Sequence, residues 1–504
     1  MSSWLSDREQ MLVEGAEKNN LDLPIPTQIV SNGEYLPPKQ SNLQKKVEKR
    51  MVELAEENAK HLGLSRRQFL QTSCGMATAF LAMNEIYGGG VFNVSEAEAR
   101  DPELTLARTN ELAGQFIFDD QTHFLRDDFP HDAILGLGEF AAEHWNPKLK
   151  EEGLSLTRYK FENYIAELWY RSDTKMALLS GAPFDDPSWW LLGNDQIVAA
   201  RDMINDFAGT TRMLGHSVIT PGQDGWMDEA ERSMSELKPN SWKSYTIGDP
   251  LSPSKYPWRL DDEKLMYPFY EKSLKAGINT ICIHKGLLPP DYETSFKGVW
   301  KYATVDDLPK AAKDWPEMNF VIYHSALRPF LELPDQAWKE FEESGGYIKW
   351  ASDLARIPEE HGVSNVYGEL GSTFANSAVA HPRFCAAFIG TLVKGLGADH
   401  VVWGTDTVWY GSPQWQIEAM RRLEVPEDMQ KKYKLPSLGG PNSLTKQAIF
   451  GLNSARIYGL SMNEATNMPD LPNFSEDKIA GLAAKFREAG GGPSNKRFGY
   501  TRKA

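Results

Sequence analysis

The sequence contains few cysteines and no apolar run of membrane-spanning length. Its 504 residues include only three cysteines, Cys74, Cys282 and Cys385. Three thiols cannot build a disulfide framework, so we expect the fold to depend on side-chain packing. A modest apolar stretch near the N-terminus, TSCGMATAFLAM (72–83), is too short to span a bilayer, and Asn84 interrupts it. A stable membrane anchor is therefore not expected.

The sequence also has fewer basic than acidic residues. The chain has 54 Lys and Arg against 69 Asp and Glu, which gives a formal charge of −15. An acidic balance of this size argues against nucleic acid or an anionic membrane as the main partner. With 41% hydrophobic residues and no internal repeat or long low-complexity tract, the sequence is typical of a large globular protein with an ample core.

Segments of strand type alternate with segments of helix type. Eight short segments are rich in β-branched or aromatic residues and mostly bounded by Gly, Pro, Asp or Asn: 116–118, 176–179, 212–219, 242–247, 278–283, 319–323, 364–370 and 400–403. Helical spacing lies between several of them, notably at 261–277, 305–317 and 381–397. The alternation predicts an α/β fold, a (β/α)8 barrel of the TIM type with an N-terminal helical extension. A doubly wound open sheet is the alternative, but its Gly-rich phosphate turn is missing.

Polar residues stand where several of these strands end. In chain order they are Gln121, His123, Lys243, His284, His324 and Asp406. A single His after a strand is more often a hydrogen-bonded structural residue than a ligand. A barrel, however, gathers its strand ends on one face, where imidazoles and a carboxylate form a ligand set for Zn²⁺, Mn²⁺ or Fe²⁺. We expect zinc first, with manganese or iron as alternatives.

Six motifs carry these residues in order: FDDQTH (118–123), SWKSYTI (241–247), ICIHKG (281–286), VIYHSALRP (321–329), GTD (404–406) and IFGLNSARIYGL (449–460). Together they resemble the amidohydrolase superfamily, and within it the amidohydrolase-related group that includes aminocarboxymuconate semialdehyde decarboxylase and the resorcylate decarboxylases. The resemblance covers about residues 112–460. It implies that His123 and His284 bind a metal, that Asp406 binds it and shuttles a proton, and that His324 binds metal or acts as acid or base.

The first strand departs from the family pattern. The family usually has His-x-His there, some of its decarboxylases have Glu-x-His, and this chain has Gln121-Thr122-His123. A neutral amide oxygen is a weaker ligand for transition metals than imidazole or carboxylate. Three outcomes are open: Gln121 coordinates through its oxygen, it holds a metal-bound water, or the site has lost its metal.

Further strand-end residues are candidates for substrate binding. The resemblance implies that Lys243 could be carboxylated and bridge two metals with His284 and His324; the alternative is a salt bridge or contact with an anionic substrate. Lys285, Arg328 and Glu369 adjoin the ligand candidates, and the first two could bind a carboxylate. Ordinary ion pairing in loops is their alternative role.

The N-terminal region divides into two segments before the barrel at 100–460. Residues 1–64 form an accessory extension in which 41–62 has a charged helical pattern with an apolar stripe, so self-association and a homo-oligomer are expected. Residues 65–99 contain SRRQFL (65–70), which matches a twin-arginine export signal, and Ala97-Glu98-Ala99 as a candidate peptidase site. Residues 65–86 as an amphipathic helix docked on the barrel are the alternative. The first interpretation predicts export in a folded state to the periplasm through the twin-arginine machinery, and the second a cytoplasmic protein.

The C-terminal segment, 461–504, carries one predicted helix at 475–490 and a basic tail at 494–504.

Three hypotheses about the function follow from these residues. The first is a metal-dependent hydrolase of a small amide, lactone or ester, with Asp406 as general base toward a metal-activated water. The second is a metal-dependent non-oxidative decarboxylase of an aromatic or unsaturated carboxylic acid, with His324 or Asp406 as proton donor. The third is an inactive barrel used for binding.

Overall fold

The structure is a computed structural model, and it describes residues 23–32, 34, 37–129, 139, 142–144, 150, 155–250, 252–289, 291–328 and 334–489. The first part of the accessory extension and the predicted basic tail at 494–504 lie outside these residues. Within the described ranges, no helix is both long enough and apolar enough to cross a membrane.

Eight parallel strands follow one another around a barrel in chain order. They are β1 (Phe118–Thr122), β2 (Met176–Leu179), β3 (Met213–Val218), β4 (Ser241–Tyr245), β5 (Thr280–His284), β6 (Asn319–Tyr323), β7 (Val366–Glu369) and β8 (Val401–Val402). Each overlaps one predicted segment, and β2 and β6 coincide with theirs. The predicted TIM-type barrel is confirmed, and the doubly wound alternative is excluded because the strand order never reverses.

The last strand is short, and the loop after it closes the barrel. The amide of Asp120 donates to the Trp403 carbonyl at 2.8 Å, and the amide of Asp406 donates to the Gln121 carbonyl at 3.0 Å. Thr122 and Thr407 form a parallel bridge. The carboxyl end of β1 and the GTD loop therefore lie side by side, which brings residues 121 and 406 together.

Helices surround the strands, and most begin near a Pro or an N-cap residue. From the N-terminus they are α1 (Asn42–His61), α2 (Arg66–Leu70), α3 (Ser73–Tyr87), α4 (Pro102–Leu112), α5 (Phe161–Ile165), α6 (Asn194–Ala208), α7 (Trp226–Arg232), α8 (Tyr267–Lys275), α9 (Tyr292–Ser295), α10 (Leu308–Asp314), α11 (Pro334–Glu343), α12 (Ala351–His361), α13 (Gly371–Ala380), α14 (Pro382–Leu396), α15 (Gln414–Arg422), α16 (Glu427–Tyr433), α17 (Leu444–Gln447), α18 (Asn453–Ile457) and α19 (Lys478–Glu488). A short antiparallel pair, β9 (Met462–Asn463) and β10 (Met468–Pro469), precedes α19.

The N-terminal extension packs as helices against the barrel. A capping box between Ser41 and Gln44 starts α1, and this helix buries Val47, Met51 and Leu54, the predicted apolar stripe. Helix α3 is buried over most of its length. At its end, the Tyr87 hydroxyl donates to the Ala380 carbonyl at 2.8 Å. Residues 73–87 are thus a docked helix in this structure, and export of the chain stays a prediction.

The barrel interior is filled by side chains. At the amino ends of β1 to β3, Phe118, Met176 and Leu214 form an apolar plug with Ala455 of α18. A second cluster joins Cys282, Val321 and Val402. These layers form a packed core and leave the reactive side chains to the carboxyl ends of the strands.

Candidate metal and active site

The carboxyl ends of the strands bring most of the predicted site residues to one place. His123 directly follows β1, His284 ends β5, His324 directly follows β6, Glu369 ends β7, and Asp406 lies in the loop after β8. All are buried. The strand-end pattern therefore placed these residues on the same face of the barrel, as parallel strands require.

A central cluster forms around the Gln121 side chain. The amide atom that faces this cluster lies 3.4 Å from His123 Nε2, 3.5 Å from His324 Nε2 and 3.3 Å from Asp406 Oδ1. His123 Nε2 and Asp406 Oδ1 are themselves 3.3 Å apart. Two imidazoles, one carboxylate and one amide therefore meet within hydrogen-bonding distance of a common point.

The Ser180 carbonyl determines which ring nitrogen of His123 carries the hydrogen. Its Nδ1 lies 2.8 Å from the Ser180 carbonyl oxygen, which can only accept, so Nδ1 carries the hydrogen. In the neutral ring, Nε2 then presents a lone pair toward Asp406 Oδ1, which also carries lone pairs. Two acceptors at 3.3 Å need a proton or a cation between them. A backbone carbonyl that orients the far nitrogen is typical of metal-binding histidines.

The hydrogen bonding of the Gln121 side chain is better satisfied when its oxygen, rather than its nitrogen, faces the central cluster. In that orientation the amide nitrogen donates to both oxygens of Glu369, at 3.3 and 3.1 Å. The oxygen then points at His123, His324 and Asp406 as a potential ligand. Glu369 also accepts the backbone N–H of His324 at 3.0 Å, so it positions two members of the cluster.

The backbone at two of these residues is strained. His324 and Asp406 have φ values of 62° and 58°, in the left-handed region that residues with a Cβ seldom adopt. Such strain persists where surrounding contacts enforce it, and it concentrates at functional sites. Here the contacts are the Glu369 oxygen on the His324 amide and the Gln121 carbonyl on the Asp406 amide.

Both oxygens of Asp406 are in contact with polar groups. Oδ1 faces His123 and Gln121, and Oδ2 accepts the Ser372 hydroxyl, which also contacts the Tyr410 hydroxyl at 2.6 Å. Burial opposes the charge of this carboxylate, but its contacts with His123 and the Ser372 hydroxyl, together with the nearby His324 imidazole, outweigh burial and lower the pKa of Asp406 below its usual range. Asp406 is therefore a carboxylate at neutral pH.

The two other imidazoles lie edge to face, with ring centroids 4.7 Å apart. Burial and the neighbouring His284 lower the pKa of His324 to about 3, so its imidazole is neutral. His284 stacks on Tyr245 at 4.1 Å, because these residues are in register on β5 and β4. Neither nitrogen of His284 has a hydrogen-bond partner within the described ranges, which leaves both available to a ligand.

Lys243 points into the barrel below this cluster. Its ammonium lies 3.4 Å from the centroid of the Tyr323 ring and has no hydrogen-bond partner or ion pair among the residues that the structure describes. Burial lowers the pKa of Lys243 to about 8. The expected salt bridge is thus not formed there, and contact with an anionic substrate or carboxylation of Lys243 stays a prediction.

Lys285 and Arg328 are not brought into the cluster. Lys285 is buried in an ion pair with Asp307 at 2.9 Å and also donates to the carbonyls of Tyr302 and Thr304. Arg328 pairs with Glu340 at 2.6 Å. Both have the loop ion pairs that were their alternative role, so we leave them out of the proposed site.

The site also contains residues that sequence reasoning did not select. Glu34 and Asn32 reach it from the N-terminal segment, with Glu34 Oε2 3.6 Å from His284 Nε2 and Asn32 Nδ2 3.4 Å from Asp406 Oδ2. Tyr245 and Ser372 are further additions. Tyr245 ends β4 but lies inside the predicted strand 242–247, so the predicted boundary did not mark it as a strand-end residue. No spacing in the sequence connects Glu34 to the barrel.

The donor set fits a single metal ion when Gln121 is included. Ligands about 2.0–2.1 Å from a tetrahedral ion lie about 3.3–3.4 Å from one another. The Gln121 amide atom, His123 Nε2 and Asp406 Oδ1 lie 3.3 to 3.4 Å apart. In the described part of the chain, no group of three or more His, Cys, Asp or Glu side chains alone is arranged to hold an ion. Gln121 is therefore the member that completes the set.

Comparison with known proteins gives a family match and distant structural similarities. A family model described as amidohydrolase matches residues 189–460, more than half of the 504 residues. No curated protein matches. Solved structures that are similar include an uncharacterised TIM-barrel protein from Bordetella bronchiseptica (13% identity, 68% of this chain and 98% of that chain, TM-score 0.43). Others are 2,6-dihydroxybenzoate decarboxylase from Rhizobium (12%, 68% and 99%, 0.40) and 5-carboxyvanillate decarboxylase from Novosphingobium aromaticivorans with bound manganese (16%, 69% and 98%, 0.41).

Proposed function

The chain belongs to the amidohydrolase family, and on that premise we propose that it is a metal-dependent decarboxylase of a small aromatic or unsaturated carboxylic acid. The observation that carries the proposal is the burial of the reactive groups. Gln121, His123, His284, His324 and Asp406 are each only 1 to 3% exposed. Hydrolysis consumes a water molecule at every turnover, whereas loss of CO₂ requires none. A site shut off from solvent therefore favours decarboxylation.

The burial of the site also affects the substrate, because it removes water from the substrate's carboxylate. A carboxylate that leaves bulk water for such a site loses its hydration shell, and the neutral CO₂ that it becomes needs none. Aromatic rings flank the cluster: Tyr245 stacks on His284, and the Trp409 ring lies 6.3 Å from that of His123. These rings suit a flat, unsaturated substrate skeleton.

The residues of the site have separate roles in the proposed decarboxylation. His123, Asp406 and Gln121 would hold a divalent ion together with His284, and such an ion supplies Lewis acidity toward substrate oxygens. His324 Nε2 is the nitrogen we assign to proton delivery. When the bond to the carboxylate breaks, its electron pair stays on the substrate carbon, and the proton from His324 is added there. A bound substrate anion raises the pKa of His324, which allows the imidazole to carry that proton.

Hydrolysis is the second candidate, because the matching family model is described as amidohydrolase. In that reaction Asp406 would take a proton from water. The contacts of both Asp406 oxygens with polar groups and its lowered pKa make it a weak general base, since a base works best with a pKa near the working pH. We therefore place hydrolysis second.

The proposal is tested with a panel of hydroxybenzoic and unsaturated acids in deuterated, ¹⁸O-labelled water. Decarboxylation predicts CO₂ release, one deuterium on the carbon that lost it, and no ¹⁸O in the other product. His324→Gln should lower turnover by about 10²–10⁴-fold, because it removes the proposed proton donor, while the exposed control His361→Gln retains it. Incorporation of ¹⁸O from the water into the carboxylic acid released from an ester or amide substrate, without CO₂ release, would instead establish hydrolysis.

Metal content is the accompanying measurement. We expect about one equivalent of a divalent metal in protein purified without chelator, and its loss in the double variant His123→Ala/His284→Ala. Added metal should raise the unfolding temperature of the wild type only, because a ligand that binds the native state stabilises it. Absence of metal from both proteins, with none taken up, would contradict metal dependence.

A further inference from the structure

A cavity of about 260 Å³ lies outside the barrel, between the N-terminal extension and the outer helices. Its walls come from the start of α3, from α4, from α15 and from the C-terminal helix α19. Arg171 and Asp173, which precede β2, complete the lining. Among the described residues that line the cavity, none belongs to the central cluster. The cavity is therefore separate from the site proposed for catalysis.

Positive side chains dominate the lining of this cavity. Three carboxylates line it against five arginines, namely Arg108, Arg171, Arg421, Arg422 and Arg487. The chain as a whole has the reverse balance, with 69 acidic and 54 basic residues. A concave surface in which one sign of charge is in excess concentrates ions of the opposite sign. The lining therefore favours an anion.

The carboxylates of the lining do not satisfy every arginine. Glu418 accepts from Arg421 at 2.8 Å and lies 3.4 Å from Arg422. Glu98 pairs with Arg422 as well. Arg108 reaches only the outside of these pairs, at 3.7 Å from Glu98 and 3.9 Å from Glu418. Both distances exceed that of a hydrogen bond, so the Arg108 guanidinium lacks an acceptor for these contacts.

Several guanidinium nitrogens of the lining have no hydrogen-bond partner within the described ranges. They are Nε and Nη2 of Arg108, Nε of Arg171 and Nε of Arg422, and all four atoms are buried. The nearest paired carboxylate of Arg171, Glu167, lies 3.8 Å away. The Arg422 side chain is only 3% exposed. Buried donors without acceptors are costly, and a ligand that accepts from them removes that cost.

The surroundings of Arg108 disfavour its positive charge. Burial and the charge of Arg422 lower the pKa of Arg108, and Glu418 and Glu98 oppose this only in part. A guanidinium nevertheless keeps its proton, because its ordinary pKa exceeds 12. The repulsion between Arg108 and its neighbour therefore persists in the folded protein, and an anion between them would relieve it.

The amino end of α3 forms another part of the wall. Thr72, the N-cap of this 15-residue helix, and Ser73 in its first turn both line the cavity. The amino end of a helix carries partial positive charge and N–H groups without intrahelical acceptors, and phosphate groups bind at such ends. The helix end and the arginines border the same space and favour the same kind of ligand.

We propose that this cavity binds a small organic phosphate, whose phosphate group is held by the arginines of the lining and the amino end of α3. A phosphate monoester carries about 1.5–2 negative charges at pH 7, which matches the excess of two arginines over carboxylates. Its oxygens accept paired hydrogen bonds from guanidinium groups. The cavity is slightly smaller than the about 300–1,000 Å³ of sites for drug-sized ligands, which leaves room for a short organic group.

Calorimetry on the full-length protein tests the proposal, with glycerol 3-phosphate as the probe and glycerol as its uncharged counterpart. The wild type should bind the first and not the second. Arg108→Gln should weaken binding about 10- to 100-fold, the effect of one hydrogen bond between charged groups. Arg383→Gln is the matched control, because Arg383 is similarly buried and pairs with Asp428 outside the cavity. It should bind as the wild type does.

A second variant keeps the test decisive if Arg108→Gln does not fold. Arg171 is 29% exposed, and Arg171→Gln should also weaken binding because its unpartnered Nε borders the same cavity. Circular dichroism checks that each variant is folded. Wild-type affinity in both variants would overturn the proposal, and so would a wild type that binds no glycerol 3-phosphate.

The proposed metal site also attracts phosphate, and the double variant His123→Ala/His284→Ala separates the two places. Binding in the cavity should survive in this variant. Its loss there, with wild-type affinity in Arg108→Gln and Arg171→Gln, would assign the phosphate to the metal and overturn the proposal. The outcome does not depend on the reaction, because no turnover is measured.

Two further probes test the chemical class. Succinate divides its two charges between separate carboxylates and should bind at least about tenfold more weakly than glycerol 3-phosphate, since one group cannot then use the arginines and the helix end together. Inorganic phosphate should also bind more weakly, because it leaves part of the cavity unfilled. Succinate affinity equal to that of glycerol 3-phosphate would overturn the assignment of a phosphate group, and equal affinity for inorganic phosphate would overturn that of an organic one.

Discussion

Among single residues, Gln121 has the most influence on the site because it is the one uncharged, non-aromatic member of the central cluster. Its amide contacts His123, His324 and Asp406 on one side and the Glu369 carboxylate on the other. An amide oxygen binds transition metals more weakly than imidazole does. The site should therefore hold its ion less tightly than a cluster with a third imidazole.

Gln121→His should strengthen metal binding. We expect the dissociation constant for Zn²⁺, measured by competition with a chromogenic chelator, to fall at least about tenfold, because imidazole is the better ligand for this ion. Gln336→His places the same ring on an exposed helix and serves as the control. An unchanged constant would mean that Gln121 lies outside the coordination sphere.

Strand-end position was enough to predict His123, His284, His324 and Asp406, because parallel strands bring their carboxyl ends to one face whatever the loops do. The same reasoning could not separate Lys243 from Lys285. Adjacent side chains along an extended chain alternate in direction, and Lys285, directly after β5, turns to Asp307 instead. Glu34 could not be predicted as a site residue. Its contact with His284 joins residues 250 positions apart in the sequence and depends on how the N-terminal segment folds back.

Among the elements, those with strong periodicity were predicted well. The apolar stripe of α1 and the strands β2 and β6 follow directly from side-chain spacing. The boundaries of β1 were less predictable, since the structure has Phe118–Thr122 where the pattern predicts 116–118. Gln121 and Thr122 belong to β1 although they are polar, because the GTD loop supplies backbone partners that the sequence does not reveal.

The short helix α17 carries a buried lysine that should make stability depend on pH. Lys446 donates to the Arg421 carbonyl at 2.9 Å. Burial lowers the pKa of Lys446 to about 7, the Arg108 charge adds to this effect, and Glu424 opposes it. In the unfolded chain a lysine titrates near 10.4.

The sign of this pH dependence follows from the number of protons bound to the folded and the unfolded chain. Between about pH 7 and pH 10 the unfolded chain keeps the proton on Lys446 while the folded protein has lost it, so the free energy of unfolding rises with pH through this group. Lys446→Met removes that contribution. Relative to the variant, the wild type should gain about 2 kcal/mol in urea unfolding between about pH 7 and pH 9. The exposed Lys431→Met should show no such trend, and a parallel pH profile for Lys446→Met would contradict a depressed lysine.

At the scale of the whole molecule, the N-terminal extension and the barrel are joined by many contacts. The Val91 carbonyl accepts the Glu424 amide at 2.7 Å, and Asn93 donates to the Arg422 carbonyl at 2.7 Å. Glu98 forms an ion pair with Arg422. The candidate peptidase site at residues 97–99 includes Glu98, so cleavage after Ala99 would remove all of these contacts.

A chain that begins at Arg100 should therefore be unstable. It would lack Met51, Phe69 and Phe80, which are 0 to 1% exposed, and each such side chain contributes about 1.5–3 kcal/mol when buried. Their sum is comparable to the about 5–15 kcal/mol by which whole proteins are stable. We expect the truncated chain to aggregate or to melt well below the full chain in circular dichroism, with sedimentation reporting its association state. A monodisperse truncated protein with an unchanged melting temperature would show that the extension is dispensable, and would make cleavage during export compatible with a folded enzyme.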